Sequence, residues 1–233
     1  MTNGMDGAHV GDDRPATNQA TNPATNQGAA SGAGNPATNP GAAPRAANPA
    51  TNPATNPGAV PAATIRPCVP DDMAAVARIY AHYVQTSIAT FELEPPGVEY
   101  WRGRLDEIGG LGLPFLVAEV GGKVVGYAFC SRWRPRPAYR QTVEDSIYLA
   151  PDAVGQGIGT ALLGAVLTEC RAAGMREVIA VISTERDGRG GASQALHERH
   201  GFRLAGRLVA VGFKYGRWLD TIVMQRSVGE TAG

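Results

Sequence analysis

Asp145-Ser-Ile-Tyr-Leu-Ala-Pro-Asp-Ala-Val-Gly-Gln-Gly-Ile-Gly-Thr-Ala-Leu-Leu163 is the stretch that decides the fold. Ser146 to Leu149 reads as a strand, Pro151 stops it, a glycine-rich turn follows, and an amphipathic helix begins. Gly155, Gly157 and Gly159 remove Cβ atoms where a ligand or another backbone approaches closely. The free N–H groups of the first helical turn, reinforced by the helix dipole, then form an anion site that needs no lysine. The implied ligand carries a pyrophosphate.

Two nucleotide loops fit this stretch poorly. A dinucleotide fingerprint needs G-x-G-x-x-G, but the third glycine comes one residue early and Thr160 holds its place. The acidic residue expected some 20 positions later is also missing, since that region is Glu177-Val-Ile-Ala-Val-Ile182. A P-loop needs Gly-Lys-Ser/Thr, and Gly159 is followed by Thr160 and Ala161.

Working outward, residues 1–62 are built mainly from Ala, Asn, Thr, Pro and Gly, with Asn-Pro-Ala-Thr-Asn recurring from Asn22, Asn35, Asn48 and Asn52. Such a segment cannot bury enough surface to offset roughly 1–2 kcal/mol of backbone entropy per residue, so a disordered tail is expected there. Residues 63–228 have globular texture, and 229–233 form a short tail.

In the globular part, Thr64–Pro67 reads as a strand, and Pro70-Asp71-Asp72 opens a helix lined by Met73, Val76, Ile79, Tyr80 and Tyr83. A loop over Ser87–Pro96 holds Phe91, and a second helix covers Gly97–Ile108. Strands Phe115–Val120 and Lys123–Cys130 flank the hairpin pair Gly121-Gly122. Val143–Leu149 leads into the glycine loop, whose helix runs from about Gly157 to Ala173. A buried-type strand follows at Glu177–Ile182, then a helix at Ser193–Arg199. Two last strands, Arg203–Phe213 and Trp218–Gln225, pair through Lys214–Arg217.

Composition narrows the function. Lys plus Arg (21) equal Asp plus Glu (21), so no net field draws the chain to nucleic acid or an anionic membrane. Three scattered cysteines fit reduced thiols in a cytoplasmic protein, and four histidines without paired cysteines give no metal constellation. No apolar run approaches the ~20 residues of a membrane helix.

The element order and the loop Val154-Gly-Gln-Gly-Ile-Gly159 resemble the GNAT acetyltransferases, whose acetyl-CoA loop reads Arg/Gln-x-x-Gly-x-Gly/Ala. Val154 departs from that pattern. Ser193-Gln-Ala-Leu-His-Glu-Arg-His-Gly-Phe202 is similar to the family segment Asn-x-x-Ser-x-x-Leu-(Tyr/His)-Glu-Lys-x-Gly-Phe, with Gly190 in the asparagine position. The resemblance implies an α/β (α+β) fold with a mixed, mostly antiparallel sheet of six to seven strands and about four flanking helices. It also implies acetyl-CoA as co-substrate, held by Ile147, Tyr148, Leu149, Val154, Gly155, Gln156, Gly157, Ile158, Gly159, Thr160 and Ser193, with no metal.

A narrower resemblance, to phosphinothricin N-acetyltransferases, extends over residues 64–226. It rests on His82-Tyr83, Thr90-Phe-Glu92, Trp101, Trp133 with Arg136 and Tyr139, Glu144, His197-Glu198, Gly212-Phe-Lys214, Trp218 and Asp220. Those enzymes acetylate the α-amine of phosphinothricin, methionine sulfoximine or similar amino acids, and relatives are homodimers. The resemblance implies Glu144 as the base that deprotonates the ammonium, with His197 assisting as base or acid. It points to Arg136 and Tyr139 as substrate ligands, with Phe91 and Lys214 as further candidates; guanidinium suits carboxylate and phosphinyl oxygens. Main-chain N–H groups near Ile147–Leu149 are candidates to stabilise the oxyanion. Two other readings stay open: a GNAT acetylating another small amine or a protein N-terminus, and a non-catalytic acetyl-CoA sensor. The basic Arg132–Arg140 loop disfavours polycationic acceptors.

Overall fold

The computed structural model describes residues 63–229. The tail expected over 1–62 and residues 230–233 lie outside the described residues.

Seven strands form one sheet: β1 (Thr64–Pro67), β2 (Phe115–Val120), β3 (Lys123–Arg132), β4 (Thr142–Leu149), β5 (Glu177–Thr184), β6 (Arg203–Lys214) and β7 (Arg217–Ser227). Their order is β1-β2-β3-β4-β5-β7-β6. The helices are α1 (Met73–Thr86), α2 (Val98–Gly110), α3 (Ile158–Ala172) and α4 (Gly191–Arg199). Every adjacent strand pair is antiparallel except β4 with β5. The mixed, mostly antiparallel α/β fold expected from the sequence is present, with seven strands and four helices.

The parallel join is the feature that makes a site. β4 and β5 share only the pairs Thr142–Glu177, Val143–Val178 and Glu144–Ile179. Beyond Glu144 the two strands part, while β4 stays paired to β3 as far as Leu149 and β5 to β7 as far as Thr184. The sheet is thus two sheets hinged at three residues. The edge of β4 over Asp145–Leu149 that faces β5 has no strand partner, and its main-chain polar groups need others.

Strand alternation distributes the β4 side chains between the two faces. Tyr148 meets Tyr80 and Tyr83 of α1, at ring-centroid distances of 5.1 and 5.3 Å. Asp145 instead meets His197 of α4. One face is therefore covered by α1 and α2, with Trp101, Tyr127 and Phe129 in the same aromatic cluster. The other is covered by α3, whose Leu162, Leu163, Val166, Leu167 and Cys170 are buried at helical spacing. Each such aliphatic side chain contributes about 1.5–3 kcal/mol by burial. Cys130 and Cys170, 40 residues apart in sequence, meet in this core with Sγ atoms 3.1 Å apart.

The last hairpin carries a device that composition did not disclose. β6 bulges between Leu208 and Gly212, with Ala210 at φ 54°. Asp220 on β7, fully buried, accepts a hydrogen bond from the Ala210 N–H (2.8 Å) and from Arg207 Nε (2.8 Å). The carboxylate thereby satisfies the main-chain donor that the bulge removes from the ladder.

Candidate active site

The turn after β4 has left-handed glycines and free donors at the start of α3. Gly155 and Gly157 adopt φ of 81° and 79°, a region closed to most side chains, and the space above each is open. The first main-chain bond of α3 runs from Ala161 N to Gly157 O at 3.2 Å. The N–H groups of Ile158, Gly159 and Thr160 therefore have no main-chain acceptor among the described residues. They point out of the helix end at the mouth of the β4–β5 cleft. Gly159 packs close to Leu196 of α4 and Leu149, each 3.5 Å from where its Cβ would lie, a distance an alanine would also meet as ordinary contact.

Side chains of the loop play smaller parts. Val154 is 55% exposed and offers no polar group. Gln156 turns back, its amide donating to the Asp152 carbonyl at 2.6 Å. Ser193 lies half-buried in the first turn of α4, and its carbonyl accepts from His197 Nδ1 at 2.7 Å. Tyr148 sends its ring into the aromatic cluster, so only its main chain faces the cleft.

Gly190 has a steric cause. A Cβ there would lie 2.8 Å from Gln194 Cβ and 2.9 Å from Ile222 Cδ1. The Gly190 N–H donates to Gln194 Oε1 at 2.9 Å, so a glutamine one turn on closes the start of α4.

Glu144 occupies the last paired position of β4, where the cleft opens, on the α1/α2 face. It is half-buried, and its carboxylate has no hydrogen-bond partner among the described residues. Burial pushes its pKa up, the Asp145 charge adds to that, and the Arg134 guanidinium pulls it partly back. A carboxylate with open lone pairs and raised basicity, beside a cleft, is able to take a proton from a bound ammonium.

His197 is not beside Glu144. It is 2% exposed, on the α3/α4 face, with Nε2 3.0 Å from Asp145 Oδ2 and Nδ1 on the Ser193 carbonyl. Both partners are acceptors, so a ring that satisfies both donates from both nitrogens and is an imidazolium. Burial alone would lower its pKa, but the Asp145 hydrogen bond and charge, with the Ser193 carbonyl, outweigh it and the pKa is raised. The structure brings His197 together with Asp145, a residue the sequence reading passed over. A readable signal existed: an acid at an inward strand position must find a partner.

The Ser87–Pro96 loop closes the far side of the cleft. Its carbonyls are held by side chains from three strands: Ser183 Oγ on Ile88, Tyr148 Oη on Ala89 at 3.5 Å, and Lys214 Nζ on Thr90 at 2.9 Å. The Lys214 side chain is 3% exposed, and burial lowers its pKa against the opposing pull of Glu92. Lys214 thus serves this loop. Phe91, 37% exposed, lies across Gly212. Arg136 and Tyr139 stand on an exposed loop between β3 and β4. Of that loop's arginines, Arg134, stacked 4.5 Å over the Trp133 ring, is the one whose charge bears on Glu144. Among the described residues no group of three or more His, Cys, Asp or Glu could hold a metal ion.

Comparison with known proteins agrees with this architecture. The model of the acetyltransferase (GNAT) family matches residues 76–202. Phosphinothricin N-acetyltransferase from Alcaligenes faecalis is 46% identical over 172 residues, covering 73% of this chain and 86% of that protein. The L-methionine sulfoximine/L-methionine sulfone acetyltransferase of Pseudomonas aeruginosa is 35% identical over 171 residues, covering 73% and 97%. A GNAT-superfamily phosphinothricin acetyltransferase from Sinorhizobium meliloti, solved with acetyl-CoA, superposes with a TM-score of 0.68 at 47% identity, covering 73% of this chain and 91% of that one. The chain belongs to the GNAT acetyltransferase family, and it is an N-acetyltransferase.

Proposed function

We propose that this enzyme transfers acetyl from acetyl-CoA to the α-amine of an amino-acid-like substrate of the phosphinothricin, methionine sulfoximine or methionine sulfone type. The carrying observation is Glu144: a half-buried carboxylate without a partner among the described residues, at the point where β4 and β5 part. The relatives named for these substrates support the acceptor class.

Acetyl-CoA supplies an activated acyl group. The N–H groups of Gly155 to Thr160 would hold its pyrophosphate, and Ser193 lies at the facing end of α4. Glu144 takes the proton of the acceptor ammonium, directly or through water, and frees the amine to attack. Main-chain N–H groups on the unpaired edge of β4, over Ile147–Leu149, donate to the carbonyl oxygen as it gains charge; collapse of the tetrahedral adduct then breaks the C–S bond, and the departing CoA thiolate takes the second proton of the attacking nitrogen. Arg136 and Tyr139, with Arg134, form the polar side of the acceptor pocket, and Phe91 with the Lys214-anchored loop forms its apolar side. His197, buried on the other face with its ring nitrogens on Asp145 and the Ser193 carbonyl, is left out of the base role.

The edge strand β6 supports a homodimer. Leu208, Val209, Val211 and Phe213 are each at least half exposed, with Trp218 beside them. An apolar edge of this kind invites pairing with a second copy. The cysteines, all present as free thiols, support a reducing compartment such as the cytoplasm.

The test is CoA release from acetyl-CoA with phosphinothricin, methionine sulfoximine, methionine sulfone, spermidine and an aminoglycoside, on wild type and Glu144→Gln. Turnover confined to the amino-acid analogues and lost in the variant supports the reading. Turnover on the polyamine or aminoglycoside alone rejects it.

A further inference from the structure

The two halves of the sheet share three pairs of residues and then diverge. Something must hold them at a fixed separation beyond Glu144, because the cleft has to fit a ligand. On the α1/α2 face the Ser87–Pro96 loop spans the opening through Tyr148 and Ser183; on the opposite face α4 is the element placed to do so. It follows β5 in the chain and crosses to the other half, where Leu196 meets Gly159 and His200 Nε2 reaches the Thr160 carbonyl at 3.1 Å. Its one charged tie to β4 itself is His197 to Asp145.

That tie is energetically unusual. Asp145 and His197 are 7% and 2% exposed, and Phe202 packs edge-on against the imidazole at 4.9 Å. Burying both partners of an ion pair costs several kcal/mol before their attraction returns it, and apolar side chains would fasten a helix as well. What a buried ion pair adds is one registered geometry, because neither partner tolerates displacement. The second oxygen, Asp145 Oδ1, is buried with no partner among the described residues. The other charged or titratable groups around the pair are Cys130, opposite Asp145 on β3, Glu144 beside it on β4, and Glu198 beside His197 on α4.

We infer that Asp145 is a positioning residue for acetyl transfer: by gripping His197 it locks α4 across the β4–β5 opening and sets the width of the acyl-CoA cleft. This rests on the acetyl-CoA reading of that cleft. Asp145 acts through His197 and α4, and touches no substrate.

The experiment is calorimetric titration of acetyl-CoA into wild type, Asp145→Asn and the Asp145→Asn/His197→Gln double variant, with KM for both substrates. Wild type that fails to bind acetyl-CoA rejects the cleft reading itself; wild type that binds leaves the variants to judge Asp145. The expected result for Asp145→Asn is an acetyl-CoA Kd and KM raised about tenfold, the scale of coupling between touching residues. The acceptor KM stays within about twofold. The double variant, which removes the stranded imidazolium, regains part of the lost affinity.

An acetyl-CoA Kd unchanged in a folded Asp145→Asn overturns the proposal. So does a parallel rise in both KM values, which is what general loosening would give. Should Asp145→Asn not fold, nitrogen NMR of the wild-type imidazole decides. His197 protonated on both nitrogens at neutral pH, with amides of β4 and α4 slowing together in hydrogen exchange when acetyl-CoA binds, upholds the lock. A neutral ring, or exchange that slows in only one element, overturns it.

Discussion

The Phe91 ring lies where a side chain on Gly212 would have to be: a Cβ at that glycine would sit 2.2 Å from Phe91 Cε2 and 2.4 Å from Cζ. The last hairpin therefore seats the Ser87–Pro96 loop, and Phe91 and Gly212 act as one fitted pair. Gly212→Ala is expected to push the half-exposed ring outward at a cost of about 1–3 kcal/mol, the range for overpacking. It should raise the acceptor KM and leave that for acetyl-CoA unchanged. Steady-state kinetics with each substrate varied, beside a denaturant melt, checks this. Adding Phe91→Ala should recover stability and leave the acceptor KM high.

Glu144 predicts a particular pH profile. In the proposed mechanism its ionised form is the base, and burial and Asp145 raise its pKa while Arg134 restrains the rise. The acid limb of kcat/KM should therefore lie above the ordinary carboxylate range. Arg134→Met should move it further up, and Asp145→Asn should move it down. Glu144→Gln should lower kcat by about 10²–10⁴-fold, the usual worth of a general base. Stability should move in the opposite direction. A folded-state pKa above the unfolded one contributes stability below the unfolded value, and that contribution disappears as pH rises through the folded value. At neutral pH ionised Glu144 is thus a burden, and Glu144→Gln should raise Tm there.

Much of this was legible in the sequence because it is encoded locally. Glycine at 155 and 157 is a backbone requirement, since both adopt positive φ, and strand alternation in Val143–Leu149 fixes which side chains share a face. What was not legible depends on distant pairing. The sequence places Glu144 and His197 in one site, but only the fold shows that His197 of α4 pairs with Asp145, whose side chain leaves β4 on the face opposite that of Glu144 and Tyr148. Lys214 read as a substrate cation, and only its contact with Thr90, 124 residues away, shows that it anchors a loop. Cys130 and Cys170 read as scattered, and the packing of α3 on β3 brings their sulfurs together.

Gly190 stands at the asparagine position of the GNAT pattern, and the structure makes the exchange costly. Gly190→Asn would drive a Cβ against Gln194 Cβ, which is fixed to the α4 main chain, and against the Ile222 Cδ1 methyl, the end of a side chain that is itself buried. The expected loss is about 1–3 kcal/mol, with weaker acetyl-CoA binding, because the start of α4 and the Gln194 cap must shift. Thermal melting with and without acetyl-CoA should show both the lower Tm and a smaller ligand-induced rise.

Val154 carries the reverse expectation. The side chain is 55% exposed and its neighbour Gly155 has open space above it, so Val154→Arg should fold unaltered. An arginine there starts one residue before the glycine loop, within reach of whatever anion the N–H groups of Ile158 to Thr160 attract. An exposed charge–charge contact is worth roughly 0.2–1 kcal/mol, so the acetyl-CoA KM should fall about two- to fivefold. The gain should fade with added salt, since an exposed pair is screened within about 8–10 Å at physiological ionic strength. The acceptor KM should not move. Kinetics of the variant at low and high salt checks both statements. An acetyl-CoA KM that is unchanged at low salt would mean that the pyrophosphate does not lie over this turn.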